Sequence, residues 1–156
     1  MKAAMHIVLY QPEIPPNTGN VARLCAATDT QLHLIEPLGF SLDDRYLKRA
    51  GLDYWPNVTL AVWPDLDAYR SDLGAGRRLI ATSARQGKPV HKFRFRPDDA
   101  LIFGPESRGL PPDVLDLVDA CVRIPTLDTV RSLNLSTAAG IVLYQGLIRT
   151  GGLNDW

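Results

Sequence analysis

Hydrophobic and polar positions recur along this 156-residue chain in two patterns. Short apolar runs, such as those at 6–10 and 32–35, have the length of buried strands. Other segments carry apolar residues three and four positions apart, which is the spacing of one buried helix face. The first predicted elements are therefore a strand at 6–10, a helix at about 20–28 and a strand at 32–35, which together form a β-α-β unit.

The same alternation continues along the rest of the chain. The further predicted elements are strands at 58–62, 78–82, 101–103 and 121–124, a helix near 65–73, a short helix after Pro111-Pro112 and a helix at 135–149. The last helix is the clearest, because its apolar positions recur at the spacing of one face: Leu135, Ala138, Ala139, Val142, Leu143, Gly146 and Leu147. Alternating strands and helices predict an α/β fold with a doubly wound parallel sheet.

Composition narrows the class of protein. With 46% hydrophobic and 22% charged residues, the chain fits one compact domain, 1–156. Cys25 and Cys121 fit reduced thiols better than a disulfide framework. The three histidines occur singly in strand-like segments, so no metal site is predicted. Neither a leader pattern nor an apolar run of membrane length is seen, which predicts a cytoplasmic protein.

Polar residues are concentrated where predicted strands end. Asn17-Thr-Gly-Asn20 follows the first strand, Gly104-Pro-Glu-Ser-Arg-Gly109 follows the strand at 101–103, and the segment 132–136 precedes the C-terminal helix. α/β folds bind ligands at such strand ends, and helix N-termini offer unpaired N–H groups. Each segment alone fits a helix cap or a tight turn, but three together favour a composite site.

The motifs of several nucleotide-binding classes and of the serine hydrolases are absent from the sequence. The sequence has no Gly-x-Gly-x-x-Gly, no Gly-x-Ser-x-Gly, and no phosphate loop, since Gly87-Lys88 is followed by Pro89. A formal net charge of zero argues against broad nonspecific nucleic-acid binding. However, the window 77–96 holds seven Lys and Arg residues and no Asp or Glu. In the segment 92–96 apolar and basic residues alternate, which puts two phenylalanines on one side and three cations on the other. The segment is either a strand that binds phosphate or a solvated surface.

Three motifs occur in a fixed order along the chain: 17–20 with Arg23, 103–110, and 124–126 with 131–136. They resemble the motifs of the SpoU branch of the SPOUT RNA methyltransferases. The opening segment 6–20 and the segment 49–55 are similar to the small tRNA wobble-position 2′-O-methyltransferases, and the resemblance extends to about residue 149. It implies a Rossmann-like SPOUT fold with a deep C-terminal trefoil knot, a topology that general rules of chain connection disfavour.

The resemblance also implies a reaction and its residues. S-adenosyl-L-methionine would donate a methyl group to the ribose 2′-OH of cytidine-34 or uridine-34 in tRNA, giving S-adenosyl-L-homocysteine without a metal. The residues implied for cofactor binding are Thr82, Gly104, Ile124, Ser132 and Leu133. The residues implied to face the ribose are Arg23, Asn17, Glu106, Ser132 and Asn134. Because a guanidinium stays protonated, we expect Arg23 to hold the adjacent phosphate and stabilise developing negative charge, while water or a carboxylate such as Glu106 accepts the proton.

The expected partners are the tRNA anticodon stem-loop and a second copy of the chain. Binding to DNA or to a membrane is not expected. The candidate RNA contacts are Lys92, Arg94, Arg96 and Arg45. A homodimer with Arg23 reaching the partner's site is expected, because the helix at 135–149 carries small residues suited to close contact. Two alternatives stay open: a ribose methyltransferase for another tRNA position or ribosomal RNA, and a noncatalytic RNA-binding module of the same fold.

Overall fold

A computed structural model describes residues 5–51, 55–74 and 76–156. In this part of the chain one seven-stranded sheet has the order β3-β2-β1-β6-β4-β7-β5. Its strands are β1 (His6–Tyr10), β2 (Gln31–Ile35), β3 (Leu60–Trp63), β4 (Leu79–Thr82), β5 (Lys88–Pro89), β6 (Ala100–Phe103) and β7 (Ala120–Arg123). All neighbouring strands are parallel. The predicted α/β fold with a parallel sheet is confirmed.

Helices cover both faces of the sheet. They are α1 (Pro15–Thr28), α2 (Arg45–Gly51), α3 (Leu66–Leu73), α4 (Pro112–Leu115) and α5 (Leu135–Thr150), with short 3₁₀ turns at Trp55–Asn57 and Val90–Lys92. Successive residues of a strand point to opposite faces. Ile7 and Leu9 accordingly pack into one core with residues of α1 and α5, whereas Val8 packs into a second core with residues of α3 and α4. The sheet is therefore doubly wound.

Helix α1 begins five residues earlier than the predicted start near Asn20, at Pro15. Proline is accepted at the first turn of a helix because the N–H it lacks would have no intrahelical partner. Asn17, Thr18 and Gly19 therefore lie inside the helix and are buried. A Cβ on Gly19 would lie 2.5 Å from the Cβ of Ala50, so the glycine allows α2 to pack against α1.

Helix α5 begins at Leu135, as predicted, and its buried residues are those of the predicted face except Ala138, which is half-buried. The side chain of Asn134 caps its first turn. The sixteen residues of α5 span about 24 Å. Gly146 near its end packs against Met5, just ahead of β1, so α5 runs from the carboxyl ends of the strands back to their amino ends.

The structure differs from the predicted elements at three further places. β3 occupies Leu60–Trp63 instead of 58–62, and the two-residue strand β5 and the helix α2 lie in segments without a predicted element. Residues 92–96 do not form a strand, yet their alternation is confirmed, because Phe93 and Phe95 are buried while the three cations are exposed. The burial of the two phenylalanines against the core fixes this pattern without any strand pairing.

Candidate active site at the carboxyl edge of the sheet

The three polar segments meet at one edge of the sheet. β1 lies beside β6, and β4 separates β6 from β7. Because the strands are parallel, the loops that follow β1, β6 and β7 all leave from the same edge. The residues of the three motifs lie at the ends of these strands, in the loops that follow them, and in the helices α1 and α5.

A reciprocal clamp joins the loop after β1 to the loop after β6. The carboxylate of Glu106 accepts hydrogen bonds from the backbone N–H of Glu13 at 2.9 Å, from that of Ile14 at 3.0 Å, and from the side-chain amide of Asn17 at 3.2 Å. In return, the backbone N–H and the hydroxyl of Ser107 donate to the Glu13 carboxylate at 2.8 and 3.0 Å. These bonds from Ser107 hold the pKa of Glu13 below its ordinary value.

Asn17 connects this clamp to the third motif. Its amide nitrogen donates to Glu106, and its amide oxygen accepts a bond from the side chain of Asn134 at 3.0 Å. The oxygen of Asn134 in turn accepts bonds from the backbone N–H and the hydroxyl of Ser136, at 2.9 and 2.6 Å, at the start of α5. One continuous hydrogen-bonded chain therefore runs from Glu106 through Asn17 to the N-terminus of α5.

Two other residues implied for the reaction lie outside this chain of hydrogen bonds. Arg23 is exposed on α1, six positions after Asn17 and thus about 9 Å farther along the helix axis. Ser132 is exposed in the loop between β7 and α5, two residues before Asn134. Three of the five residues are thus connected by hydrogen bonds, with Asn17 between Glu106 and Asn134.

A cleft of about 620 Å³ opens beside the loop that follows β7. Its walls come from the turn after β4, the last residue of β7 and the loop after β7: Ala84, Arg85, Arg123, Ile124, Thr126, Leu127, Asp128, Thr129, Val130 and Arg131. Ile124 is the one residue of the implied cofactor set in these walls. The walls also hold three arginines outside that set: Arg131 lies in the third motif and Arg123 directly before it, whereas Arg85 belongs to the basic window 77–96.

Thr82 and Gly104 occupy positions of different character. The hydroxyl of Thr82, at the end of β4, is buried and has no hydrogen-bond partner within the described parts of the chain. A Cβ on Gly104 would lie 2.2 Å from the Leu110 nitrogen and 2.3 Å from the Gly109 carbonyl carbon. The glycine is therefore required by the folding of its own turn, which carries Glu106.

The candidate RNA contacts lie on two separate surfaces. Lys92, Arg94 and Arg96 are exposed near the amino ends of the strands. Arg45 is exposed on α2, where its guanidinium stacks over the Tyr46 ring at 4.8 Å and donates to the Tyr46 hydroxyl. In the similar segment 49–55, the positions 52–54 lie outside the described residues.

Within the ranges 5–51, 55–74 and 76–156, no cluster of three His, Cys, Asp or Glu residues has the geometry to hold a metal ion. Both cysteines are free thiols, and burial raises the pKa of Cys25. None of the described helices is long and apolar enough to cross a membrane.

Comparison with known proteins identifies the family. A family model described as the SpoU rRNA Methylase family matches residues 4–144. The chain belongs to this family. A tRNA (cytidine(34)-2′-O)-methyltransferase of Methylovorus glucosotrophus (strain SIP3-4) is 49% identical over 141 residues, covering 89% of this chain and 91% of that relative. The resemblance seen in the sequence is confirmed.

Solved structures agree with this assignment. One that concerns the 2-OH methylation of C/U34 on tRNA has a TM-score of 0.91 at 50% identity, and the match covers 95% of this chain and 97% of that one. The SpoU methyltransferase AviRb from Streptomyces viridochromogenes, solved in complex with the cofactor AdoMet, has a TM-score of 0.84 at 22% identity. That match covers 96% of this chain and 61% of the larger protein, and it shows that the two share a fold.

Proposed function

We propose that this chain is a tRNA 2′-O-methyltransferase that transfers a methyl group from S-adenosyl-L-methionine to the ribose of the wobble nucleotide, cytidine-34 or uridine-34. The observation that carries the proposal is the hydrogen-bonded chain Glu106–Asn17–Asn134, which joins the three motifs at one edge of the sheet. The relative at 49% identity, matched over 91% of its length, is named for this activity.

The cleft beside this edge suits the cofactor. Its volume of about 620 Å³ lies within the range of small-molecule sites. Thr82 ends β4 two residues before Ala84 in the cleft wall, and its buried hydroxyl would gain a hydrogen-bond partner from a bound ligand. We assign cofactor binding to Thr82, Ile124, Ser132 and Leu133, with Gly104 shaping the adjacent turn. We further propose that the segment after β6 is threaded as a trefoil knot around this site.

The cofactor supplies a methyl group already activated by its sulfonium, so the protein has to position and deprotonate the ribose hydroxyl. Asn17, Asn134 and Ser132 are proposed to orient the ribose at the carboxyl edge. The guanidinium of Arg23 would bind the neighbouring phosphate and stabilise negative charge developing on the 2′-oxygen. A positioned cation of this kind lowers the barrier without itself accepting a proton.

Glu106 is better suited to positioning than to accepting the proton. Its two carboxylate oxygens already receive three hydrogen bonds from the loop after β1 and from α1. A carboxylate that loses these bonds on protonation would release the loop at the moment of reaction. We therefore propose that Glu106 holds Asn17 in place and that water accepts the ribose proton.

The same proposal covers the partners and the working unit. The whole chain, 1–156, would act as a single methyltransferase domain in the cytoplasm, and Arg45, Lys92, Arg94 and Arg96 would contact the phosphates of the anticodon stem-loop. We propose a homodimer in which Arg23 of one copy completes the site of the other. Ile141, half-buried on α5, and the exposed Tyr144 and Ile148 provide an apolar surface on which a second copy could pack.

The direct test is incubation with undermodified total tRNA and labelled S-adenosyl-L-methionine, followed by positional nucleoside analysis. The expected product is a 2′-O-methyl group on a wobble pyrimidine. Label on a base, at another tRNA position or in ribosomal RNA would replace this assignment with a different methyltransferase activity. Cofactor binding without any transfer would indicate a noncatalytic RNA-binding protein.

A further inference from the structure

A second cleft, here called the basic cleft, has a volume of about 320 Å³ and is lined by Lys92, Phe93, Arg94, Phe95 and Arg149. Its three cationic residues are exposed. Phe93 and Phe95 are 8% and 6% exposed and pack edge to face with ring centroids 4.8 Å apart. The basic cleft therefore combines a fixed aromatic floor with a cationic rim.

The basic cleft lies at the end of the molecule opposite the candidate active site. Arg149 follows the active-site residue Asn134 by fifteen positions in sequence, or about 22 Å along α5. The Arg149 guanidinium donates to the carbonyl of His91. The carbonyl of Arg94 accepts a bond from Arg78, directly ahead of β4. These contacts place the basic cleft at the amino ends of the strands.

The buried carboxylate of Asp99, whose neighbours include the backbone of the 92–96 segment, is already paired. Asp99 is fully buried and accepts two hydrogen bonds from the Arg78 guanidinium, at 2.9 and 2.7 Å, and one from the backbone N–H of Arg96 at 2.8 Å. No residue that lines the basic cleft carries a carboxylate. The exposed Lys92, Arg94 and Arg149 therefore set a positive potential at this edge, which would attract a polyanion.

We propose that the basic cleft binds backbone phosphates of the tRNA anticodon stem, as a second RNA contact separate from the methyl-transfer site. The choice of RNA as the polyanion rests on the proposed function. A wobble nucleotide held at the carboxyl edge of a subunit would lie about 22 Å or more from that subunit's basic cleft, beyond the nucleotides adjacent to it. The rim offers point charges and guanidinium groups, which bind phosphate irrespective of sequence. The contact would thus position tRNA and leave the choice of nucleotide to the active site.

The test compares the full-length chain with the variants Lys92→Gln/Arg94→Gln and Arg94→Gln. Arg70→Gln serves as the control for the single change, because it also removes one exposed guanidinium, from α3. Arg149 is left unchanged because its side chain bonds the His91 carbonyl. Dissociation constants are measured across a salt series for unmodified tRNA, for its anticodon stem-loop, and for a single-stranded oligonucleotide with the loop sequence alone.

The double variant should lower the salt slope for tRNA and the stem-loop by about two units, one for each lost phosphate contact. It should also raise KM for tRNA several-fold without changing kcat, and binding of the loop oligonucleotide should stay at the wild-type level. A wild-type salt slope, or a loss of tRNA affinity no larger than that caused by Arg70→Gln, would show that the basic cleft does not bind RNA. If the double variant loses as much affinity for the loop oligonucleotide as for the stem-loop, these cations contact the loop and the proposed stem contact is refuted. If the wild-type chain binds the stem-loop in this way but transfers no methyl group, the proposed function fails and the stem contact stands.

Discussion

Replacing Glu106 by glutamine tests whether the clamp between the loops after β1 and β6 positions the active site. Glutamine keeps the size of the side chain but has one acceptor oxygen in place of two. The carboxylate accepts one bond at Oε1, from Glu13, and two at Oε2, from Ile14 and Asn17. In either orientation of the amide, one or two of these donors would therefore face an NH₂ group instead of an oxygen.

The structure sets the magnitude of the effect. A hydrogen bond to a charged acceptor contributes about 1.5–3 kcal/mol, and screening reduces this value at a partly exposed clamp. We therefore expect a loss of about 1–2 kcal/mol in the free energy of unfolding. For a chain of this size this corresponds to a fall in Tm of roughly 3–6 °C. Glu36→Gln, at an exposed position after β2, is the matched control and should leave Tm unchanged.

The assay combines thermal unfolding with single-turnover methyl transfer measured across a pH series. We expect Glu106→Gln to lower both Tm and the transfer rate, because Asn17 loses its fixed partner, while the pH profile keeps its wild-type shape. The reasoning is refuted if Glu106→Gln has the Tm of the wild type but loses a titrating limb of the pH profile. That result would identify Glu106 as the proton acceptor.

Three further predictions concern the cofactor, the dimer and stability. Thr82→Val removes a buried hydroxyl without a described partner, so Tm should stay at the wild-type value. Cofactor affinity, measured by calorimetry, should fall about fivefold because one hydrogen bond is lost. Unchanged affinity would show that Thr82 does not contact the cofactor. When the Arg23→Ala variant is mixed with the cleft-filling Ile124→Trp variant and subunits exchange statistically, the mixture should regain about a quarter of wild-type activity. Purified mixed dimers without activity would argue against a site shared between subunits. Burial lowers the pKa of both His6 and His33 from the ordinary 6.5 to about 4. Between pH 4 and 6.5 the unfolded chain therefore binds more protons than the folded chain, so the free energy of unfolding should fall as the pH drops from 6.5 to 4. Urea midpoints should show this fall in the wild type and a smaller one in His33→Gln, and equal pH dependence would exclude a contribution from His33.

The sequence was sufficient for the features that depend on local periodicity. The apolar positions of α5 recur so regularly that its first residue and its buried face were predictable. The polar segments could be assigned to one edge because parallel strands bring their following loops together. Which strands are neighbours, however, depends on long-range pairing such as that of β1 with β6, and local patterns carry no information about it.

The contacts within the candidate site were less predictable for the same reason. Asn17 fits a helix cap by its residue type, but two prolines start α1 before it and turn its side chain inward. Its partners, Glu106 and Asn134, lie 89 and 117 positions away in sequence. The need for glycine at position 104 was also not apparent from the sequence, because the atoms that exclude a side chain there belong to its own turn. Only the folded chain shows that Glu106 and Asn134 are both hydrogen-bonded to Asn17.

The most direct test of the account uses two synthetic tRNAs that differ in one atom. One carries an ordinary ribose at position 34 and the other a 2′-deoxyribose there, with all remaining nucleotides identical. The purified wild-type chain with labelled S-adenosyl-L-methionine should label the first tRNA at position 34 and leave the second unlabelled. Equal labelling of both tRNAs would contradict the central claim that the wobble 2′-hydroxyl is the methyl acceptor.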